Sequence, residues 1–94
     1  MINFTHIEGR NRARIVLYAL STCAWCKKTK RLLQELGLGY DYVDVDLLRG
    51  EESSEAKRTI YRWNPRNSFP TIVVNNERCI AGFDENEIRK LAED

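Results

Sequence analysis

The sequence predicts an α/β domain built on a four-stranded mixed sheet with helices on both faces, in the order β-α-β-α-β-β-α. Two patterns support this fold class. A strand, a helix and a second strand follow one another in the first half, and such a crossover joins parallel strands. A hairpin pattern in the second half requires an antiparallel pair. The length of 94 residues is sufficient for a single domain of this kind.

The first half of the chain has the pattern of a strand–helix–strand unit. Residues 14–20 form a continuous apolar run with β-branched and aromatic members, typical of a strand buried on both faces. The helix that follows has leucines on one side and ends at Gly37 and Gly39. Residues 40–48 alternate at first between aromatic or apolar and acidic side chains, and they predict the second strand. The other sides of the helix carry basic residues that we expect to form a solvated face: Lys27, Lys28, Lys30 and Arg31.

Two further helices are predicted in the second half. Residues 51–63 place acidic residues before basic ones, an order that complements the helix dipole. Asn64 and Pro65 end this helix, because the residue before a proline avoids helical geometry. Asp84 and Glu87 match a capping box at the start of the last helix.

A β-hairpin is predicted between these two helices. Residues 71–74 form a short run rich in β-branched side chains, and residues 78–81 form a second short run. Asn75 and Asn76 are typical of the tight turn between them, because asparagine tolerates a positive φ. The hairpin therefore supplies the last two strands of the sheet.

Composition and charge exclude several classes of protein. The apolar fraction of 43% and the charged fraction of 31% are those of a globular chain. Fifteen basic and 14 acidic residues leave a net charge of +1, which argues against a nucleic-acid binder. No stretch approaches the roughly 20 apolar residues that span a bilayer, and no hydrophobic signal core begins the chain. We therefore expect a cytoplasmic protein that does not act on membranes.

The N-terminal residues differ from the rest of the chain. Residues 1–13 show no clean hydrophobic period, and we expect them to form a loosely attached arm. Residues 14–94 form the predicted domain. The sequence has no internal repeat and no interdomain linker, so we expect one domain. We also expect the protein to be a monomer.

The most informative motif is a C-x-x-C pair, Cys23 and Cys26, directly after the first predicted strand. Ser21 and Thr22 precede it and either can cap a helix, so the pair opens the helix. Free N–H groups and the positive end of the helix dipole favour a thiolate at Cys23, which is the predicted nucleophile. Cys26 is close enough to attack a mixed disulfide at Cys23 and is the predicted resolving thiol. The pattern indicates thiol–disulfide exchange, which needs no metal or organic cofactor.

Metal binding is the alternative function for the same cysteines. One C-x-x-C is half of a zinc site, and a closed site needs two more ligands. The candidates are Cys79, which is the third and odd cysteine, and His6 in the N-terminal arm. A strand, a C-x-x-C motif and a helix in succession favour redox chemistry over zinc. Otherwise we expect Cys79 to be a buried small apolar residue.

Three motifs, taken in order, resemble those of the glutaredoxins, a family of the thioredoxin-fold superfamily. They are residues 21–28 after the strand at 15–20, the segment at 69–71, and the segment at 81–84. The resemblance covers residues 14–92 and implies a thioredoxin-like fold of the glutaredoxin type. It also implies a dithiol–disulfide oxidoreductase in which the first cysteine attacks and the second resolves.

The resemblance implies a substrate-binding segment at Phe69 and Pro70. The family has a cis-proline that faces the dithiol, so the Phe69–Pro70 bond is implied to be cis. A cis bond turns the chain so that the backbone of Phe69 can pair with an extended substrate or with glutathione. Without the resemblance, a trans proline at a strand start is the simpler interpretation.

A second implied binding segment follows the last predicted strand. Ala81 and Gly82 lie where the family usually has a glycine pair, ahead of backbone donors that hold a glutathione carboxylate. Gly82 allows close approach of the backbone. Phe83 and Asp84 would follow at the binding edge, and Asp84 is equally suited to cap the last helix. Trp25, beside the dithiol, is suited to stack on a partner peptide or to be partly buried against the proline.

The expected partners are disulfide substrates and an upstream reductant. Glutaredoxins commonly carry a lysine before the first cysteine that holds a glutathione carboxylate, and Leu20 stands there in this chain. This feature and the segment at 81–83 are similar to those of the glutaredoxin-like reductants of ribonucleotide reductase, which accept electrons from thioredoxin reductase. The resemblance therefore implies that either glutathione as co-substrate or a thioredoxin-reductase-type enzyme regenerates the dithiol. The alternative is a metal-binding or iron–sulfur-cluster-binding module that uses Cys23.

Overall fold

The computed structural model describes residues 2–93, and within them three α-helices cover one mixed sheet. A short 3₁₀ turn, Val45–Leu47, follows the third strand. No helix in this range is both long enough and apolar enough to cross a membrane. The elements, in chain order, are β1 Thr5–Ile7, β2 Ile15–Ala19, α1 Ala24–Glu35, β3 Tyr40–Asp44, α2 Gly50–Trp63, β4 Thr71–Val74, β5 Arg78–Ala81 and α3 Glu85–Lys90.

The sheet is mixed, as predicted, and β2 lies at its centre. The strand order is β1-β3-β2-β4-β5, with β2 parallel to β3 and antiparallel to β4, and with β4 antiparallel to β5. The register pairs Ala19 with Asp44, Tyr18 with Thr71, and Thr71 with Ala81. The segments that follow β2 and β5 and the segment that precedes β4 therefore meet at one end of the sheet, where β2 and β5 finish and β4 begins.

Helices cover both faces of the sheet, as the sequence predicts. The helices α1 and α3 pack on one face, in a core that includes the fully buried Leu33, Ile72 and Ile88. The helix α2 packs on the other face through Ala56 and Ile60, which are also fully buried. Each large apolar side chain buried in this way contributes about 1.5–3 kcal/mol. The central strand β2 reads as a continuous apolar run because helices cover both of its faces.

Within the described residues the sheet has five strands, where the sequence predicts four. The additional strand, β1, comes from the segment expected to be a loose arm, and it pairs antiparallel with β3. The Arg10 N–H donates to the Gly37 carbonyl at 2.8 Å, and the Gly39 N–H donates to the Arg10 carbonyl at 2.9 Å. Gly9 lies so close to Gly39 that a Cβ on it would clash with the Gly39 nitrogen. A three-residue strand followed by backbone contacts at Gly9 and Arg10 leaves no hydrophobic period in the sequence.

The end of β3 also differs from its sequence pattern. The strand ends at Asp44, and the 3₁₀ turn replaces the expected continuation to residue 48. This turn buries Val45 in the core beneath α2. The hairpin is as predicted, since Asn75 and Asn76 both have a φ of 55°.

The pairing of β1 with β3 includes an ionisable contact. His6, the single histidine of the chain, lies opposite Asp41, and its Nδ1 is 2.7 Å from Asp41 Oδ1. Glu8 Oε2 lies 3.3 Å from the other ring nitrogen. The hydrogen bond to Asp41 raises the pKa of His6 above its ordinary value of 6.5. Because folding raises the pKa of His6, protonation of its ring stabilises the folded state. This stabilisation is complete below pH 6.5 and is lost as the pH rises through the raised pKa.

We expect Asp41→Asn to lower the pKa of His6 toward 6.5, because it removes the carboxylate that holds the protonated ring. Glu8→Gln is the matched control, since Glu8 contributes less to the raised pKa. An NMR titration of the His6 ring protons measures both variants. An unchanged pKa in Asp41→Asn, or an equal shift in the two variants, would contradict this assignment.

Candidate active site

The C-x-x-C pair lies where the sequence predicts, at the start of α1. Cys23 is the N-cap residue, and its Sγ accepts a hydrogen bond from the Cys26 N–H at 3.1 Å. The first turn of α1 thus directs a backbone donor at this sulfur. Cys23 is half-buried, whereas Cys26 is fully buried. The first sulfur is open to a substrate, and the protein shields the second.

Ser21 and Thr22 do not cap α1, contrary to the sequence prediction. The Ser21 hydroxyl and N–H instead both donate to the Asp46 carboxylate, at 2.5 and 2.8 Å. These hydrogen bonds lower the pKa of Asp46. Asp46 lies in the 3₁₀ turn after β3, so the contact ties the loop before Cys23 to the neighbouring strand. No local pattern predicts it, because the partners are 25 residues apart.

Burial determines the chemistry of Cys26. Desolvation in the core, together with the hydrogen bond to the Cys23 thiol, raises the pKa of Cys26 to about 12. A backbone hydrogen bond from Leu20 and the positive charge of Lys30 act in the opposite direction. In the reduced protein Cys26 is therefore a neutral thiol near neutral pH and a poor nucleophile for an external disulfide.

Lys30 does not belong to the solvated face that the sequence analysis expects. Its ammonium lies 3.2 Å from Asp44 Oδ1 and 4.0 Å from the centre of the Tyr42 ring, and 23% of its side chain is exposed. Lys30 follows Cys26 by one helical turn, so the two residues share one side of α1. A fixed positive charge thus lies close to the buried cysteine. The other basic residues of this face are exposed as expected: Lys27, Lys28 and Arg31.

The segments before β4 and after β5 meet beside the dithiol, as the sheet register requires. The Phe69–Pro70 bond is cis, as the resemblance implies, and Pro70 is buried before the start of β4. The Pro70 carbonyl accepts a hydrogen bond from the Gly82 N–H at 2.8 Å, which joins the segments before β4 and after β5. Gly82 has a φ of 78°, which glycine adopts without steric cost. Phe69 and Cys23 pack against the same core.

An aromatic pair lies at the mouth of the site. Trp25 packs against Phe83 with the ring centres 5.5 Å apart, yet 54% of Trp25 remains exposed. The Lys28 ammonium lies 4.9 Å from the centre of the Trp25 ring and 5.9 Å from that of Phe83. Asp84 accepts a hydrogen bond from the Glu87 N–H at 3.2 Å, which confirms that it caps α3. The roles of these side chains in binding a substrate stay predictions.

A groove of about 420 Å³ lies between the end of the loop before Cys23 and α2. Leu20 and Phe69 line it, together with Asp46 from the 3₁₀ turn. Leu20 stands where the resemblance expects a lysine, but Lys57 of α2 brings a cation to the same groove. No sequence pattern distinguishes Lys57 from the other basic residues of its polar helix.

The other candidate metal ligands lie apart from the dithiol. Cys79 is on β5 opposite Val73, and its thiol donates to the Trp63 carbonyl at 3.2 Å on the α2 side of the sheet. Burial raises the pKa of Cys79, although the residue is half-buried and not fully buried as expected. His6 is on β1 and is bonded to Asp41. Among residues 2–93, no three His, Cys, Asp or Glu side chains are grouped to hold a metal ion. The zinc set considered from the sequence is therefore not assembled.

Comparisons with known proteins agree with this geometry. A family model described as Glutaredoxin matches residues 15–79. An uncharacterised glutaredoxin-like 8.6 kDa protein from the rubredoxin operon of Clostridium pasteurianum is 34% identical over 79 residues, which are 84% of this chain and 97% of that protein. The crystal structure of Methanosarcina acetivorans methanoredoxin has 51% identity and a TM-score of 0.87, with 92% of this chain and 90% of that chain covered. The glutaredoxin from Methanosarcina mazei Go1 has 48% identity and a TM-score of 0.89, with coverage of 97% and 88%.

We expect iodoacetamide to modify Cys23 before Cys26 in the folded, reduced protein near neutral pH. Cys23 is accessible, whereas Cys26 is buried and its pKa is raised to about 12. Peptide mapping by mass spectrometry after short exposures gives the order of modification. The unfolded protein is the control, in which the two cysteines should react at similar rates. Earlier modification of Cys26 in the folded protein would contradict this account.

We expect Lys30→Met to slow the attack of Cys26 on a mixed disulfide at Cys23, because it removes a positive charge that lowers the pKa of Cys26. The expected loss is about threefold to tenfold near neutral pH, which corresponds to roughly 0.7–1.4 kcal/mol. The release of 5-thio-2-nitrobenzoate from its mixed disulfide with Cys23, followed against pH, measures this step. Lys27→Met is the matched control on the same helix. Identical pH profiles for the two variants would show that Lys30 has no such effect.

Proposed function

The chain belongs to the glutaredoxin family, and we propose that it reduces disulfides with Cys23 as the attacking thiol and Cys26 as the resolving thiol. The family is one of thiol–disulfide oxidoreductases in general. The observation that carries the specific assignment is the asymmetry of the pair. Cys23 is accessible and receives a backbone hydrogen bond on its sulfur, whereas Cys26 is buried behind it.

In the first step, the Cys23 thiolate attacks one sulfur of the substrate disulfide. The substrate S–S bond breaks, a bond forms between Cys23 Sγ and one substrate sulfur, and the other substrate sulfur leaves and takes up a proton. The Cys26 N–H, 3.1 Å from Cys23 Sγ, is a hydrogen-bond donor for negative charge on that sulfur.

In the second step, Cys26 loses its proton and attacks Cys23 Sγ. The bond from Cys23 to the substrate breaks, the second substrate thiol leaves, and the Cys23–Cys26 disulfide forms. Two electrons have then passed to the substrate. The positive charge of Lys30 lowers the pKa of Cys26 and thereby favours this deprotonation, against the effect of burial.

The segments that meet beside the dithiol are the proposed substrate site. The backbone of Phe69, next to the cis-proline Pro70, pairs with an extended substrate. Gly82 leaves room for the substrate backbone, and Trp25 with Phe83 contacts its apolar side chains. Asp84 follows at the edge of this surface and also caps α3.

The reductant that regenerates the dithiol is either glutathione or a thioredoxin-reductase-type enzyme. Lys57 in the 420 Å³ groove supports a carboxylate-bearing thiol such as glutathione, because it supplies a cation to a groove that Leu20 and Phe69 also line. Leu20 supports the reductase, because the residue before the motif offers no charge to glutathione. Neither route needs a resident cofactor, and one copy of the chain carries both cysteines. The reaction requires a compartment that keeps thiols reduced, which is the cytoplasm in this proposal.

Reduction of insulin disulfides, driven by dithiothreitol, tests the assignment. Cys23→Ser is expected to reduce the rate to the uncatalysed background, because no nucleophile remains at the accessible position. Cys26→Ser is expected to lose protein-disulfide reduction and to keep exchange with glutathione mixed disulfides, which need one thiol. Cys79→Ser is the matched control and should retain the wild-type rate.

Two results would count against the proposal. The first is insulin reduction by Cys23→Ser at the wild-type rate. The second is a wild-type protein that is inactive and carries stoichiometric metal or a visible absorbance band when freshly purified. The latter result would favour the metal-binding or iron–sulfur-cluster alternative at Cys23.

A further inference from the structure

We propose that one side of the site is a docking surface for an acidic segment of the protein that carries the substrate disulfide. This surface, the basic aromatic ridge, consists of Trp25, Lys28 and Arg31 of α1 together with Phe83. The inference rests on the proposed function, because it names the class of substrate that the same dithiol would reduce. The three α1 residues recur every three positions, so they follow one another along the helix and lead away from Cys23.

The aromatic end of the ridge is next to the reacting sulfur. Trp25 is the second residue after Cys23, and 54% of it is exposed although it packs on Phe83. Exposed tryptophan and arginine are the residue types that most often anchor protein interfaces. Lys28, 4.9 Å from the centre of the Trp25 ring, adds a positive charge at the same place. A polypeptide whose disulfide reaches Cys23 would lie against this surface.

The charge of the ridge is not neutralised by the neighbouring helix. Across residues 2–93, no carboxylate forms an ion pair with Lys28 or Arg31. The acidic residues of α3 are instead paired within their own helix, at 2.8 and 3.0 Å: Glu85 with Arg89 and Glu87 with Lys90. The net charge of the whole chain is only +1, so the positive charge of the ridge is a local feature.

A groove of about 250 Å³ between α1 and α3 runs beside the ridge. Lys28, Arg31 and Phe83 line it, and Glu35 lies toward the C-terminal end of α1. Glu85 and Arg89 of α3 also line the groove and pair with each other. Among the described residues, the cations Lys28 and Arg31 then face one further carboxylate, Glu35, which favours an occupant with excess negative charge. The groove and the aromatic pair together fit an acidic segment that also carries apolar side chains next to its disulfide.

Two synthetic peptides of equal length test the proposal, each closed by one disulfide and reduced with dithiothreitol as the final electron source. One carries Asp and Glu beside the disulfide, and the other carries Asn and Gln at the same positions. The measured quantity is the ratio of kcat/KM for the acidic peptide to that for the neutral peptide. Because this ratio is taken within each variant, changes in the intrinsic reactivity of the dithiol cancel.

The wild-type protein is expected to prefer the acidic peptide by about fivefold or more at low salt, and the preference should decline as salt screens the charges. In the double variant Lys28→Glu with Arg31→Glu, the ratio is expected to fall below one. A second double variant, Arg58→Glu with Arg62→Glu, makes the same change of net charge at exposed positions of α2, on the opposite face of the sheet, and should keep the wild-type ratio.

Three results would overturn the docking surface: a wild-type ratio near one, a preserved ratio in Lys28→Glu with Arg31→Glu, or an equal loss in Arg58→Glu with Arg62→Glu. The last of these would attribute the preference to net charge alone. Failure of the wild-type protein to reduce either peptide would be a different result, because it would overturn the proposed function itself. Reduction of both peptides at equal efficiency would agree with that function and contradict only the role of the ridge as a docking surface.

Discussion

The rest of the structure depends on the pairing of β2 with a strand on each side, β3 and β4. Its parallel bonds to β3 place Asp44 beside Ala19, and its antiparallel bonds to β4 place Thr71 beside Tyr18. A slip of one residue in either ladder would turn every side chain of the slipped strand to the other face. The dithiol loop, the cis-proline segment and the segment after β5 meet at one end of the sheet because of the registers of β2 with β3 and with β4.

The difference in burial between Cys23 and Cys26 follows from their positions at the start of α1. The N-cap position lies outside the helix, so Cys23 remains accessible while its sulfur receives the N–H of the first turn. Three residues later, the same helix turns Cys26 onto the buried side that also carries Thr29 and Leu33. With two residues between the cysteines, the start of an ordinary helix is therefore enough to leave one sulfur accessible and to bury the other.

What the sequence predicts depends on how far apart the interacting residues are. The central strand, the hairpin and the cap of α3 follow from patterns within a few residues, and the motif segments place the dithiol, the cis-proline and Phe83. The contacts of Ser21 with Asp46 and of Lys30 with Asp44 join residues 25 and 14 positions apart, so no local pattern contains them. The same reason applies to β1, whose three residues are held by backbone bonds to a distant strand.

The burial of Cys26 also constrains how the proposed cycle closes. A reductant must attack the Cys23–Cys26 disulfide at a sulfur it can reach, and the accessible one is Cys23. The donor and the substrate therefore use the same sulfur in turn. Two surfaces of different chemistry adjoin the segments that flank Cys23 in the sequence: the groove lined by Leu20 and Lys57, and the ridge with Lys28. In the proposed cycle, a donor thiol that carries a carboxylate would meet Lys57 in the groove, whereas an acidic polypeptide would meet Lys28 on the ridge, so one sulfur would serve both partners in turn.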